Sequence, residues 1–282
     1  MILSGKELSS TLKVNIAKKV RQLTNRWGIA PHLVVILVGD NPASQSYVKG
    51  KSKACEEVGI KNITINLSVD ISEQDLIKTI NELNLNPNVH GILVQLPLPK
   101  HISADKIISA IDPKKDVDGF HPENVAKLWL GQDCIKPCTP RGIINLIDKT
   151  NINLEGKNVV VIGRSTIVGL PVAKMCLDRN ATVTICHSKT ENLANITKQA
   201  DVLIVAVGKP KFVTADMVKL GATVIDVGIN RVDGKLCGDV DFNSVFDEKT
   251  EYITPVPGGV GPMTITCLME NTIECFLKQH LN

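Results

Sequence analysis

Aromatic side chains are scarce in this 282-residue sequence, where Phe, Tyr and Trp together supply 3% of the residues. With hydrophobic residues at 43% and charged ones at 22%, the interior must be built from Val, Ile and Leu. That is the composition of an α/β interior, far from disordered or collagenous chains. No run approaches the ~18 apolar residues of a membrane span. Lys6 and Glu7 follow Met1-Ile2-Leu3 too closely for a signal peptide, so a soluble, cytoplasmic protein with no membrane partner is expected. The eight cysteines lack C-x-x-C spacing and the density of a small secreted scaffold, and are read as reduced thiols. The six histidines include no H-E-x-x-H, and neither G-x-S-x-G nor the P-loop pattern occurs. Metal, acyl-enzyme and ATP chemistry are therefore not expected. The net charge of +3 is spread along the chain, which gives no electrostatic footprint for nucleic acid.

What is present is enough chain for two domains, since cores cluster near ~100–150 residues. An amphipathic stretch from Gly5 to Trp27 precedes the apolar run Leu33 to Val38, closed by Gly39. Asn41-Pro42 supplies an N-cap with proline at the first helical position, and Gly59 a stop, so a helix is expected over Ala43 to Val58. A strand over Ile63 to Val69, a helix over Glu73 to Leu83 and a strand over Gly91 to Gln95 follow. Pro137-Cys138-Thr139-Pro140 combines breakers with an N-cap signal at Thr139 and marks a domain boundary. A second βαβ series runs through strands at Asn158 to Ile162, Thr182 to Cys186, Val202 to Val207 and Thr223 to Val227, with a helix over Leu170 to Leu177. Pro262 is expected to open a last helix reaching about Lys278.

Four places carry candidate chemistry. Gly163 to Pro171 follows a strand and opens a helix, where backbone N–H groups favour phosphate, although Ser165 replaces the second glycine of G-x-G-x-x-G and the spacing to Gly169 is longer. A plain strand-to-helix turn fits as well. The next strand ends in Cys186-His187-Ser188-Lys189, without the acidic residue that would hold a ribose 2′-hydroxyl. Arg164, Ser188 and Lys189 suit a 2′-phosphate, or else a solvated turn. Tyr47 and Lys51, four residues apart on a helix, share a face that is either an ordinary exposed pair or one wall of a cleft. Gln95 stands at the carboxyl end of a buried strand, where open α/β sheets present ligand groups or simply terminate. Asp116 and Asp118 read by themselves as a solvated acidic turn.

Five motifs appear together in order: Tyr47 to Lys53, Val94 to Pro99, Lys115 to Gly119, Gly163 to Pro171 and Pro255 to Thr264. With them the chain resembles, over essentially its whole length, the bifunctional methylenetetrahydrofolate dehydrogenase/methenyltetrahydrofolate cyclohydrolase family of one-carbon metabolism. Ser165 is that family's own form of the turn. The resemblance implies an α/β protein of two domains: a catalytic domain of residues 1–138 plus 263–282, to which the C-terminal helix returns, and a Rossmann-type NADP domain of residues 139–262. It implies oxidation of 5,10-methylenetetrahydrofolate with NADP, hydrolysis of the methenyl product to 10-formyltetrahydrofolate, and a homodimer. Fold and motifs leave open a protein with only one of the two steps, or a silent Rossmann-type binding protein.

By the same resemblance Lys51 is the central catalytic residue, with Gln95 beside it, Tyr47 stacking on the folate and Asp118 binding the pterin. Val94, Leu96, Pro257, Gly258 and Gly259 join them around the substrate, the glycines letting backbone approach the nicotinamide. Thr139, Gly163, Arg164, Ser165, Val168, Gly169, Ser188, Gly208 and Ile229 take the cofactor. An ordinary lysine titrates near ~10.4, so a general base near neutrality needs desolvation or nearby positive charge.

Overall fold

The structure, a computed structural model, describes residues 1–150 and 152–281, apart from the side chains of 247 and 248. They form two compact units. One holds residues 11–138 and the C-terminal residues from 265; the other holds residues 1–10 and 139–264.

The first unit contains most of α1 (Gly5–Trp27), then β1 (His32–Val38), α2 (Pro42–Val58), β2 (Lys61–Leu67), α3 (Glu73–Leu85), β3 (Gly91–Val94), α4 (Ala104–Ala110) and α5 (Pro122–Trp129). Its parallel sheet has the order β2-β1-β3, with Leu33 opposite both Asn62 and Gly91. All seven residues of β1 are buried, because a central parallel strand is covered on both faces and so reads as a continuous apolar run. The period-2 alternation divides it between two cores. Leu33, Val35 and Leu37 pack with Ile16, Val20, Val48, Val58, Leu268 and Phe276, whereas Val34, Ile36 and Val38 pack with Leu76, Ile80 and Ile107. The C-terminal residues thus return to this unit as a buried helix face. β2 begins two residues before the expected start, because the Lys61 N–H already donates to Pro31 O at 2.9 Å. The sequence reading passed over α4 and α5, which at seven and eight residues are too short to show a helical period.

The second unit runs from α6 (Cys138–Lys149) through β4 (Asn158–Ile162), α7 (Gly169–Leu177), β5 (Thr182–Cys186), α8 (Leu193–Thr197), β6 (Val202–Val205) and β7 (Ala222–Asp226). The hairpin β8 (Asn230–Val232) and β9 (Lys235–Cys237), α9 (Phe242–Lys249), β10 (Thr250–Ile253) and the start of α10 (Val260–His280) complete it. Its parallel sheet has the order β10-β7-β6-β4-β5. Chain order reverses between β4 and β6, where an open α/β sheet leaves a crevice at its carboxyl ends. Residues 1–10, expected in the catalytic domain, pack with this unit: Leu3 N–H donates to Ile253 O at 2.8 Å and Ile253 N–H to Met1 O at 3.0 Å. The last helix opens at Val260, two residues before Pro262, since proline is tolerated within a first turn whose N–H groups have no intrahelical partner.

Candidate functional site

In the first unit the candidate residues Tyr47 and Lys51 lie on α2. Asn41 Oδ1 accepts the N–H groups of Ala43 and Ser44 at 3.0 and 3.1 Å, and Pro42 follows the cap. At the far end Gly59 takes φ 80°, and the Ile60 and Gly59 N–H groups close back on Cys55 and Glu56. The buried face carries Ser44, Val48 and Cys55, and Lys51 lies in register with them, so its side chain runs along the core edge while its ammonium reaches the tip of β3. There Lys51 Nζ donates to Gln95 Oε1 at 2.9 Å. Gln95 is fixed in turn: its Nε2 donates to Leu96 O at 2.7 Å and its main-chain N–H to Ile36 O at 2.9 Å. Tyr47 is 45% exposed, one turn from Lys51. Lys49 and Lys53 line a groove on another flank of α2 with Thr64 and Asn66. Val94 packs in the core, so it offers a ligand only its main chain, while Leu96 is half-buried.

The Lys115 to Gly119 segment is not a solvated turn. Lys115 is 5% exposed, and its ammonium donates to the carbonyls of Leu83, Asn84 and Asn86, closing the C-terminal end of α3. Burial lowers its pKa. Asp116 is also buried and accepts from the N–H groups of Gly119 and His121 and from Asn124 Nδ2, at 2.8–3.0 Å. Asn271, from the returning helix, donates to Val117 O at 2.8 Å and Lys136 O at 2.9 Å. These contacts fix the turn that presents Asp118. Burial pushes the Asp118 carboxyl up to about 6, Lys51 pulls it back and Asp116 adds to the rise. An amide facing the core from helix α10 was the signal for Asn271, since a buried polar side chain needs partners. Lys115 and Asp116 gave no signal distinct from the exposed charges around them.

The second unit gathers main-chain groups at the crevice. A Cβ on Gly163 would lie 2.3 Å from Ala206 O, and one on Gly169 2.2 Å from Gly163 O, so both positions exclude a side chain. Ser165 Oγ accepts the N–H groups of Val168 and Gly169 at 3.2 and 3.3 Å, holding the first turn of α7. Its own O–H hydrogen remains a donor. A cavity of about 440 Å³ is lined by Gly163, Arg164, His187, Ser188, Lys209 and Phe212. His187 Nδ1 accepts the Lys189 N–H at 3.2 Å and the His187 N–H donates to Thr190 Oγ1 at 2.8 Å, so this histidine shapes the turn and leaves Ser188 exposed at its tip. Lys209, absent from the sequence reading, stands 5.5 Å over the Phe212 ring and adds a cation. Gly208 has φ 64°, and Ile229 is 48% exposed.

Two expectations acquire different causes. Thr139 lies inside α6, which begins at Cys138, and its Oγ1 pairs with Thr264 Oγ1 at 3.0 Å. The smallness of Gly259 answers an internal need, since a Cβ there would sit 2.6 Å from Pro255 O, and one on Gly5 would sit 1.8 Å from Gly259 O. Gly258 O accepts the Lys6 N–H at 2.9 Å, and Pro257 is exposed.

The residues on the cavity wall fit a dinucleotide phosphate: excluded side chains at the turn, a helix N-terminus, and two cations with a serine hydroxyl but no carboxylate. Comparison with known proteins agrees. Residues 3–118 match the tetrahydrofolate dehydrogenase/cyclohydrolase catalytic domain, and residues 137–280 match the NAD(P)-binding domain of the same name. The bifunctional protein FolD of Streptococcus thermophilus is 56% identical over 279 residues, covering 99% of this chain and 98% of that one. The solved FolD methylenetetrahydrofolate dehydrogenase/cyclohydrolase of Campylobacter jejuni superposes with a TM-score of 0.95 at 53% identity, covering 98% of each chain. The Trypanosoma brucei enzyme, solved with NADP cofactor and inhibitor, gives 0.95 at 36% identity, covering 100% of this chain and 99% of that one.

Proposed function

The chain belongs to the tetrahydrofolate dehydrogenase/cyclohydrolase family, and from that premise we propose that Lys51, Gln95 and Asp118 serve the folate while the Gly163 turn and its neighbours hold NADP. It is a bifunctional enzyme that oxidises 5,10-methylenetetrahydrofolate to the methenyl cation with NADP and hydrolyses that product to 10-formyltetrahydrofolate. Both reactions occur at the same bridging carbon. The same family membership leads us to infer a homodimer acting in the cytoplasm.

The observation that carries the residue roles is the Lys51–Gln95 pair at the carboxyl end of β3. Gln95 takes one N–H of the amine, adds no negative charge that would favour the ammonium, and leaves the nitrogen free toward the substrate. A water adds at the bridging carbon and gives its proton to Lys51 Nζ. As the bond from that carbon to N5 breaks, N5 takes up the hydroxyl proton and the oxygen becomes the formyl carbonyl. Asp118, ionised above about pH 6, accepts the paired N–H groups of the pterin, whose donor edge resembles a guanidinium. Tyr47 supplies an exposed ring for stacking.

When bound, NADP supplies the hydride acceptor. Arg164 and Ser188 would hold its 2′-phosphate, and the backbone at Gly163, Ser165, Val168 and Gly169 would take the pyrophosphate. Thr139, Gly208 and Ile229 would complete that side. The test is to assay both steps on the purified protein: NADP reduction by the methylene substrate and loss of the methenyl chromophore. A protein that performs one step only would break the bifunctional reading.

A further inference from the structure

At the tips of the two central strands of the second unit the ladder runs out. Ala206 N–H still reaches Ile162 O at 2.8 Å and Val227 N–H reaches Val205 O at 2.9 Å. Beyond them, the N–H groups of Val207 and Gly208 have no facing strand, and both turn instead onto a single carboxylate oxygen, Asp239 Oδ2, at 2.7 and 2.9 Å. The other oxygen, Oδ1, accepts Asn230 Nδ2 at 2.9 Å. One side chain therefore ties the loop after β6 to the loop after β7.

Asp239 is fully buried, and the side chain that anchors it is Asp226, 3% exposed. Asp226 Oδ1 accepts the N–H groups of Asp239 and Gly228 at 2.9 and 3.0 Å, and its Oδ2 accepts Val240 N–H at 3.0 Å. The glycines beside the pair make room for it: a Cβ on Gly228 would lie 2.2 Å from the Asp239 carboxylate, and one on Gly238 1.8 Å from Asp226 Oδ2. Two buried carboxylates with no ion-pair partner among the described residues are costly unless N–H donors compensate them. Here the Asp239 carboxylate takes its donors from Val207, Gly208 and Asn230, on the two loops that bear Gly208 and Ile229, while Asp226 takes Gly228 from one of those loops and Asp239 and Val240 from the segment after β9.

We propose that Asp239 is a positioning residue for NADP: its carboxylate, braced by Asp226, sets the spacing of the Val207-Gly208 and Gly228 to Asn230 loops that flank the dinucleotide. The inference rests on the assignment of Gly208 and Ile229 to the cofactor. Asp239 touches no substrate atom, and its effect passes through the main chain of the crevice wall.

The test uses the intact protein. In Asp239→Ala, KM for NADP should rise about tenfold or more, while kcat at saturating NADP changes less than about threefold. Hydrolysis of methenyltetrahydrofolate, which consumes no nicotinamide, should stay within about twofold. Asp239→Asn, whose amide oxygen can take the two backbone N–H groups, should bring KM back to within about threefold of the parent. An unchanged KM in Asp239→Ala, an equal fall in both activities, or a rise that Asp239→Asn leaves in place overturns the inference. Should Asp239→Ala not fold, Asn230→Ala removes one arm of the tie and should raise KM about threefold; an unchanged KM there overturns it equally. Arg164→Ala run alongside separates the two assignments. NADP affinity lost in Arg164→Ala but not in Asp239→Ala sinks the positioning role alone, and loss in neither sinks the cofactor assignment with it.

Discussion

The candidate sites of the two units are built from different materials. The first presents side chains: Lys51 held by Gln95, Tyr47 on the exposed face of α2, and Asp118 on a turn braced from below by Asp116 and Asn271. The second presents main chain: glycines that exclude Cβ atoms, N–H groups at the start of α7, and loops tied by buried carboxylates. Chemistry at one carbon needs a particular nitrogen at a particular point. A long cofactor is instead held by many weak backbone contacts along its phosphates. Substitutions in the first unit should therefore remove a step and spare the fold, and those in the second should grade affinity.

The sharpest break of this contrast is Lys51→Met. Hydrolysis of methenyltetrahydrofolate should fall about 10²- to 10⁴-fold, the range of a lost general base, with NADP affinity and thermal midpoint preserved. Hydrolysis at the parental rate removes Lys51 from the chemistry. Asp118→Asn comes next, with folate affinity down about 10- to 100-fold for the loss of charged acceptors to two N–H groups. The pH profile makes this specific. Since burial holds the Asp118 carboxyl near 6, it is ionised above that pH, and parental folate affinity should drop about tenfold per unit below it. The Asn variant should show no such slope, and a slope that persists assigns it to another group.

Arg164→Ala, in the second unit, should weaken NADP about tenfold while NAD changes less, measured as a ratio of initial-rate KM values. Equal losses for both cofactors would mean that Arg164 does not read the 2′-phosphate. The last effect concerns stability rather than activity. His90 is lowered to about 4 by burial first and by His280, His32 and Lys115 after it. The unfolded chain takes up that proton from 6.5 downward, so His90 costs stability as pH falls from 6.5 to about 4. Asp118 and Asp226, both raised to about 6, act in the opposite sense, because the fold keeps protons there that the unfolded chain releases down to 3.8. His90→Gln should therefore gain stability relative to the parent on acidification through that window, by at most about 1.4 kcal/mol per pH unit. Parallel denaturation curves at pH 6.5 and 4.5 would exclude the role.

Much of the frame was legible from local chemistry. Asn41-Pro42 and Gly59 bracketed α2 because capping acts within a turn of the chain, and the apolar run of β1 announced a strand covered on both faces. The Gly163 turn was legible as a phosphate candidate, and Ser165, a departure from the simple fingerprint, is already explained by the family resemblance; the structure adds that its hydroxyl accepts the Val168 and Gly169 N–H groups. Asp116 reads by itself as part of a solvated acidic turn, and Lys115 is given no role, because nothing in their neighbours says that three carbonyls at the end of α3 converge on one ammonium.

The sequence by itself determined the long amphipathic helices and the buried apolar strands, where α2 starts and stops, and which residue types stand at the strand tips, but not short elements such as α4 and α5. Those choices depend on periodicity and caps, which a few neighbouring residues settle. Only the tertiary structure decided that Lys51 meets Gln95 across 44 positions, that residues 1–10 join the second unit, and that Asp226 and Asp239 are buried acceptors. The reason is physical: burial and hydrogen-bond partnership depend on residues distant in the chain, and a charged side chain looks the same in sequence whether it ends in water or beneath a loop.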